Sequence, residues 1–126
     1  MKNSIRDAGR YFRRARALGS GFAIAMLAMS LPASAAVVPA SGTVAVVYAY
    51  AEFGSGDFVF RLSTTAAGCE GGFWLSPSQP GFKTLVAFVM QARATGETIT
   101  VGGNNALIWN GSGSSFCKVD WLYAAT

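Results

Sequence analysis

The stretch of sequence that decides the fold is AAGCEGGFWLSPSQPGF, residues 66–82. It contains Cys69, one of only two cysteines in the chain, followed by the short apolar run FWL and then by serines and prolines. Aromatic and apolar residues such as FWL favour a β-strand, whereas SPSQPG is typical of a turn that leads into a new element. These residues therefore join a cysteine, a short strand and the start of a helix.

Residues 1–36 have the pattern of a secretory signal peptide of bacterial type. Six of the ten Lys and Arg residues lie here, before an apolar run at residues 17–31 and the ASA of residues 33–35, which matches the A-x-A cleavage pattern. The run of about 15 residues is shorter than the roughly 20 that a membrane-spanning helix needs, which disfavours an anchor. Arg13–Arg14 raises a twin-arginine route, but the hydrophobic residues expected after the pair are missing. We expect cleavage, leaving one small domain over residues 37–126 that is periplasmic or secreted.

Removal of the signal peptide reverses the charge of the protein. The full chain carries a net charge of +4, whereas residues 37–126 retain four basic and five acidic residues, a net charge of −1. Binding to nucleic acid or to an anionic membrane requires clustered cations. We therefore expect neither a nucleic-acid partner nor membrane association after cleavage.

The two cysteines, Cys69 and Cys117, both lie in the exported part of the chain. Small exported domains bury little surface and often compensate with disulfides. A bridge between the two cysteines would close a loop of about 48 positions. The entropy that it removes from the unfolded chain would stabilise the fold by roughly 4 kcal/mol. We predict a Cys69–Cys117 disulfide rather than a reactive thiol.

The sequence predicts a β-hairpin followed by further strands. Residues 41–53 and 58–63 alternate with a period of two around the turn GSGD, with Phe58, Phe60 and Leu62 facing the core and Val59 and Arg61 facing outward. The same alternation predicts that two sets of side chains each share one strand face: Val44, Val46, Tyr48 and Tyr50 in the first strand, and Cys117, Val119, Trp121 and Tyr123 in the last.

One helix interrupts the strands. Residues 82–95 carry an apolar stripe of helical period, widened by Phe88, with Ser78 as the expected N-cap and Gly96 as the left-handed C-cap. Strands are expected at residues 97–101 and 106–109, separated by a turn at GGNN.

The order of elements predicts a mainly β (α+β) fold with one helix after the third strand and one disulfide. This order is typical of a small OB-like antiparallel barrel, and a helix packed on an open antiparallel sheet is the alternative.

The chain contains no histidine, which removes the usual general base and the commonest metal ligand. We therefore expect no enzyme activity, no metal and no cofactor. The alternative is a glycosidase-like pair of carboxylates. Its candidate residues are Glu52, Asp57, Glu70 and Asp120. We interpret these as solvated turn and edge residues.

Thirteen of the sixteen aromatic residues lie in residues 37–126. Most should fill the core, but Phe73 and Trp74 are adjacent and must point to opposite faces of a strand. Trp74, Trp109 and the neighbouring Asn110 are the candidate ligand-binding residues, because an exposed indole beside polar donors suits a neutral polar ligand such as a glycan.

The pattern of Cys69, FWL, QARATG at residues 91–96, ITV at residues 99–101 and Cys117 resembles a group of small secreted bacterial proteins. It is also distantly similar to the receptor-binding subunit of subtilase cytotoxin, over roughly residues 69–119. The resemblance implies an OB-type fold and glycan binding by a ring of subunits. None of that subunit's sugar-contacting residues maps onto a position here.

Together these features predict a non-catalytic binding domain for a glycan or protein ligand, in a homo-oligomeric form if the resemblance extends to assembly. The alternative is a structural or interaction subunit of an envelope or toxin-like assembly, because the exported chain has only nine charged residues.

Overall fold

The structure is a computed structural model, which describes residues 35–124. Almost all of the predicted signal peptide therefore lies outside the described residues. The elements, in chain order, are β1 (Val37–Ala49), β2 (Phe58–Leu62), β3 (Gly72–Leu75), α1 (Phe82–Thr95), β4 (Thr98–Ile108) and β5 (Phe116–Ala124). A single 3-10 turn, Phe53–Ser55, lies between β1 and β2. The predicted hairpin, the short third strand and the helix are confirmed.

The five strands pair in the order β1-β2-β3-β5-β4, and β4 pairs again with β1. The hydrogen-bonded pairings therefore form a closed ring. All are antiparallel except that of β3 with β5, which is parallel and spans Gly72 to Trp74. The expectation of a mainly β chain with one helix and one disulfide is confirmed.

A β-bulge in β1 changes which side chains face the core. The register shifts between Val44, which pairs with Leu62, and Val46, which pairs with Arg61. Because β1 has one extra residue at this point, the alternation of inward and outward side chains shifts by one position there. Val44 is buried and Val47 packs against the core, whereas Tyr48 is 44% exposed. The prediction that Val44, Val46 and Tyr48 share one face is therefore wrong.

A second bulge, in β5, has the same effect. Gly102 of β4 pairs with Trp121 and Gly103 pairs with Val119, so Asp120 is the extra residue. Cys117 and Val119 face the core, and after the bulge Leu122 and Ala124 pack against it. Trp121 and Tyr123, expected on the same strand face as Cys117 and Val119, lie on the outer face instead.

The segment GGNN, expected to be a turn, continues strand β4. Gly103 faces inward, where an added Cβ would lie 2.6 Å from Phe73 Cε1 and 2.9 Å from Cys117 Cβ. The glycines are required by close packing on neighbouring side chains rather than by turn geometry.

Helix α1 ends at the predicted Gly96, which adopts the left-handed conformation (φ 73°). Its N-cap is Gly81, not Ser78 as expected, and no side chain caps it. Ser78 lies in the preceding turn, which is anchored because Gln79 Nε2 donates to the Val119 carbonyl at 2.9 Å. The helical pattern wrongly predicted that Phe88 widens the buried apolar stripe, because Phe88 is 45% exposed. Within residues 35–124, no helix is long and apolar enough to cross a membrane.

The core fills the ring and is covered by α1. Val89 and Ala92 of the helix are buried together with the inward side chains Phe58, Phe60 and Leu62. The disulfide between the fully buried Cys69 and Cys117 lies in the same core and confirms the predicted bridge. Val59, expected to face outward, is buried in a second, smaller cluster.

Candidate functional site

The second cluster forms the floor of a groove of about 250 Å³ on the outer face of the sheet. The groove lies between the end of β1, strand β2 and the loop at residues 109–115. Its lining residues are Tyr48, Tyr50, Val59, Arg61, Trp109, Gly111, Ser112, Ser114 and Phe116. Two connecting loops, β1–β2 and β4–β5, therefore meet at this groove.

A buried hydrogen bond joins the two loops. The indole N–H of Trp109 donates to Asp57 Oδ2 at 2.9 Å, and both residues are only 4% exposed. Gly54 makes room for this carboxylate, because an added Cβ there would overlap with it, and its φ of +60° also suits glycine. The interpretation of Asp57 as a solvated turn residue is wrong. It is the acceptor that positions the wall of the groove.

Aromatic rings pack on the same indole. The centroids of Tyr50 and Phe53 lie 5.2 and 5.3 Å from that of Trp109, and Phe116 stands edge-on at 5.7 Å. An added Cβ at Gly111 would overlap with three neighbouring atoms of the indole, so the loop backbone also lies against the ring. Trp109 is therefore held from several sides, while Tyr48 and Tyr50 are exposed at the rim.

Arg61 is the one charged residue that lines the groove. Its guanidinium carbon lies 5.2 Å from the centroid of the Phe116 ring, a cation–π arrangement. Within residues 35–124 it makes no ion pair with a carboxylate. Arg61 is therefore a single cation in a groove whose other lining residues are uncharged.

The three predicted site residues, Trp74, Trp109 and Asn110, lie in different environments. Trp109 lines the groove but is buried, so only part of its ring is accessible. Asn110 is exposed next to it and is not among the lining residues. Of the Phe73–Trp74 pair, Phe73 is in the core and Trp74 is half-buried outside it.

Trp74 packs against the cluster at the floor of the groove but is not among the lining residues, and its polar atom is already used. Its indole N–H donates to the Leu107 carbonyl at 3.1 Å, and the Lys118 ammonium lies 5.6 Å from its ring centroid. Sequence reasoning missed Tyr48, Tyr50 and Arg61 as groove residues. The β1 bulge, which turns both tyrosines outward, has no signature in the alternating pattern.

A smaller concavity of about 180 Å³ lies on the other side of Arg61, near the disulfide. Glu70 lines it, and backbone N–H groups of Gly68 and of Glu70 itself lower the pKa of the Glu70 carboxyl. The Gly68 N–H donates to Glu70 Oε1 at 2.8 Å. This carboxylate therefore stabilises the turn before β3.

No group of three or more potential metal ligands occurs among residues 35–124. Comparison of the chain with protein-family models, with curated proteins and with solved structures gave no match. The functional argument therefore depends on the geometry of the chain itself.

Proposed function

We propose that the chain is a non-catalytic binding domain that holds a neutral oligosaccharide in the groove between the β1–β2 and β4–β5 loops. The observation that carries the proposal is the convergence of these two loops, tied by the Asp57–Trp109 hydrogen bond, over an outward-facing strand lined with aromatic rings and hydroxyls.

The proposed architecture behind this site is an OB-type barrel. In five-stranded OB folds, the face of the second and third strands and the loops between strands one and two and between strands four and five bind oligonucleotides and oligosaccharides. The groove occupies the equivalent position, with Val59 and Arg61 supplied by β2. The closed strand order and the helix after β3 support the same assignment.

The chemistry of the lining favours a sugar over a nucleic acid. Oligonucleotide binding requires several phosphate-neutralising cations, and the groove has only Arg61. Tyr48 and Tyr50 offer apolar ring faces, and Ser112 and Ser114 offer hydroxyls. Apolar faces next to hydrogen-bonding groups suit a ligand that has both C–H faces and hydroxyls, as a neutral glycan has.

The disulfide supports export as part of this proposal. Structural disulfides persist in oxidising compartments such as the periplasm and the extracellular space. A buried disulfide in a small domain, together with the signal-peptide pattern of residues 1–36, fits a secreted or periplasmic bacterial protein.

Replacement of the rim tyrosines tests the groove. We expect Tyr48→Ala and Tyr50→Ala each to weaken glycan binding about tenfold, close to 1.4 kcal/mol, because each removes an exposed aromatic contact. A glycan array identifies the ligand, and calorimetry measures the affinity of each variant. Phe88→Ala, which removes an equally exposed aromatic from α1, is the matched control and should bind like the wild type.

Two results would contradict the groove proposal. One is a glycan array without any ligand, together with a pull-down from culture medium that also finds none. The other is a bound glycan whose affinity is the same for the wild type, Tyr48→Ala and Tyr50→Ala.

A second candidate function is an interaction subunit that assembles through its helix. Phe88 and Met90 are both about half-exposed on α1, where they flank the buried Val89 on opposite sides of the helix. Light scattering across a range of protein concentrations tests this: we expect an oligomer that Phe88→Asp dissociates. A strict monomer at high concentration would exclude self-assembly.

A further inference from the structure

The bulge in β5 places two aromatic residues on a second part of the surface. Without the extra residue Asp120, the alternation that buries Cys117 and Val119 would also bury Trp121 and Tyr123. Bulges are typical of places where a strand re-aims a side chain towards a functional surface. Trp121 and Tyr123 are instead 40% and 52% exposed.

The two rings are nearly parallel and stacked, and we call this pair the aromatic platform. Their planes differ by only 16° and their centroids are 5.8 Å apart. Gly102 of the neighbouring strand lies beneath Trp121. A Cβ added to Gly102 would overlap with Cε2 and lie almost equally close to its two bonded neighbours, Cζ2 and Nε1. This pattern means that Gly102 lies under one face of the indole, and the Trp121 side chain as a whole is 40% exposed.

The cross-strand partners of the aromatic platform are uncharged, whereas the exposed Asp120 precedes Trp121 in the chain. Its two cross-strand rows pair Trp121 with Gly102 and Pro39, and Tyr123 with Thr100 and Ser41. The hydroxyls of Ser41 and Thr100 lie 2.7 Å apart and share a hydrogen bond.

The indole N–H of Trp121 differs from those of the other two tryptophans. Trp74 and Trp109 donate to Leu107 and Asp57, whereas Trp121 donates to no group within residues 35–124. Among the described residues, an indole N–H without an acceptor thus lies at the edge of an exposed aromatic pair. This combination suits a ligand with apolar C–H groups on one face and hydroxyls at its edge.

The area of the aromatic platform is small for a protein partner. A stable protein interface buries about 800 Å² per partner. Two aromatic side chains bury at most about 150–250 Å² each, and here roughly half of each is already covered. The exposed faces match a small ring better than a second copy of the chain.

We propose that Trp121 and Tyr123 form a second carbohydrate site, which stacks on the face of a neutral pyranose ring within an oligosaccharide. It uses none of the groove residues, so it stands whether or not the groove binds a glycan. Two sites on one small domain would raise its avidity for a polysaccharide that can reach both.

In NMR spectra of the ¹⁵N-labelled protein, each of the three indole N–H groups gives its own signal. The Trp109 signal reports on the groove and the Trp121 signal reports on the platform. The probes are cellohexaose, maltohexaose, mannohexaose and chitohexaose at up to millimolar concentration. We expect at least one to shift the Trp121 signal saturably. Trp121→Ala and Tyr123→Ala should each weaken the binding of that sugar at least tenfold. Leu107→Ala, which removes a 47% exposed apolar side chain of β4 outside the platform, should not change it.

Gly102→Ala provides a variant that keeps both aromatic residues. The added Cβ must push the indole off its position, so we expect weaker binding at the platform with the Trp109 signal unchanged. A thermal melt of each variant shows that the fold is retained.

The inference is overturned if none of the four hexasaccharides shifts the Trp121 signal, or if the shift survives in Tyr123→Ala and Gly102→Ala. It is also overturned if the Trp121 signal moves with protein concentration alone, since the platform would then contact a second copy. A shift of Trp109 alone would support the groove and reject the platform. A shift of the Trp121 signal alone would support the platform and reject the groove.

Discussion

The double variant Cys69→Ala/Cys117→Ala is expected to lose about 2–5 kcal/mol of unfolding free energy relative to the oxidised wild type. The bridge closes a separation of 48 residues, which restricts the unfolded chain. It also lies at one of the two shortest pairings in the ring, because the parallel pairing of β3 with β5 includes Phe73 opposite Cys117 and only one residue on either side. Loss of the bridge should therefore open the ring at this pairing.

Urea unfolding of the oxidised wild type, the reduced wild type and the double variant measures this effect. Hydrogen exchange should show that the amides of β3 lose protection first in the reduced protein. Both cysteines are buried, so alanine also leaves small cavities. The reduced wild type separates the contribution of the bridge from that of the cavities. A reduced protein whose unfolding free energy is unchanged would show that hydrogen bonding and core packing alone hold β3 to β5.

Trp109→Ala is expected to lower the free energy of unfolding by about 3–5 kcal/mol and to abolish binding in the groove. The indole is buried against Val59 and Phe116, and its N–H is the donor to the Asp57 carboxylate. Removal of the ring leaves a cavity and also leaves a buried carboxylate without that donor, which adds to the cost.

Two conservative variants separate these contributions. Trp109→Phe keeps most of the ring and removes the N–H, so it should cost about 1.5–3 kcal/mol, the range for a hydrogen bond to a charged group. Asp57→Asn keeps an acceptor oxygen and should cost less than Asp57→Ala. Chemical denaturation gives each value, and calorimetry with the array-identified glycan gives the affinity. Equal stability of Trp109→Phe and the wild type would mean that the hydrogen bond does not hold the two loops together.

Much of the fold follows from local pattern. Alternation with a period of two identified β1, β2, β5 and the start of β4, because half-buried strands need it, and the apolar run FWL identified β3. The change to a helical period identified residues 82–95, and Gly96 identified the end of the helix. In each case the pattern lies within a few consecutive residues, so it can be recognised without knowledge of which strands or side chains pack against it.

The errors occurred where a distant partner determines the local structure. Gly102 and Gly103 suggested a turn, but they are glycines because Trp121 and Phe73 fill the space a side chain would need. Asp57 followed a glycine-rich turn and suggested a solvated carboxylate, but Trp109, 52 positions away, buries it. No pattern around either residue indicates these contacts.

The sequence by itself determined the disulfide, the single helix, the mainly β class and the absence of histidine chemistry. Only the tertiary structure decided which aromatics face solvent. That choice depends on two bulges, where two residues of one strand stand opposite one residue of its neighbour. A bulge is a property of strand pairing and leaves the composition of the strand unchanged. For this reason the sequence pattern wrongly grouped Tyr48 with Val44 and grouped Trp121 and Tyr123 with Val119. The surfaces that these aromatic residues form became visible only in the folded protein.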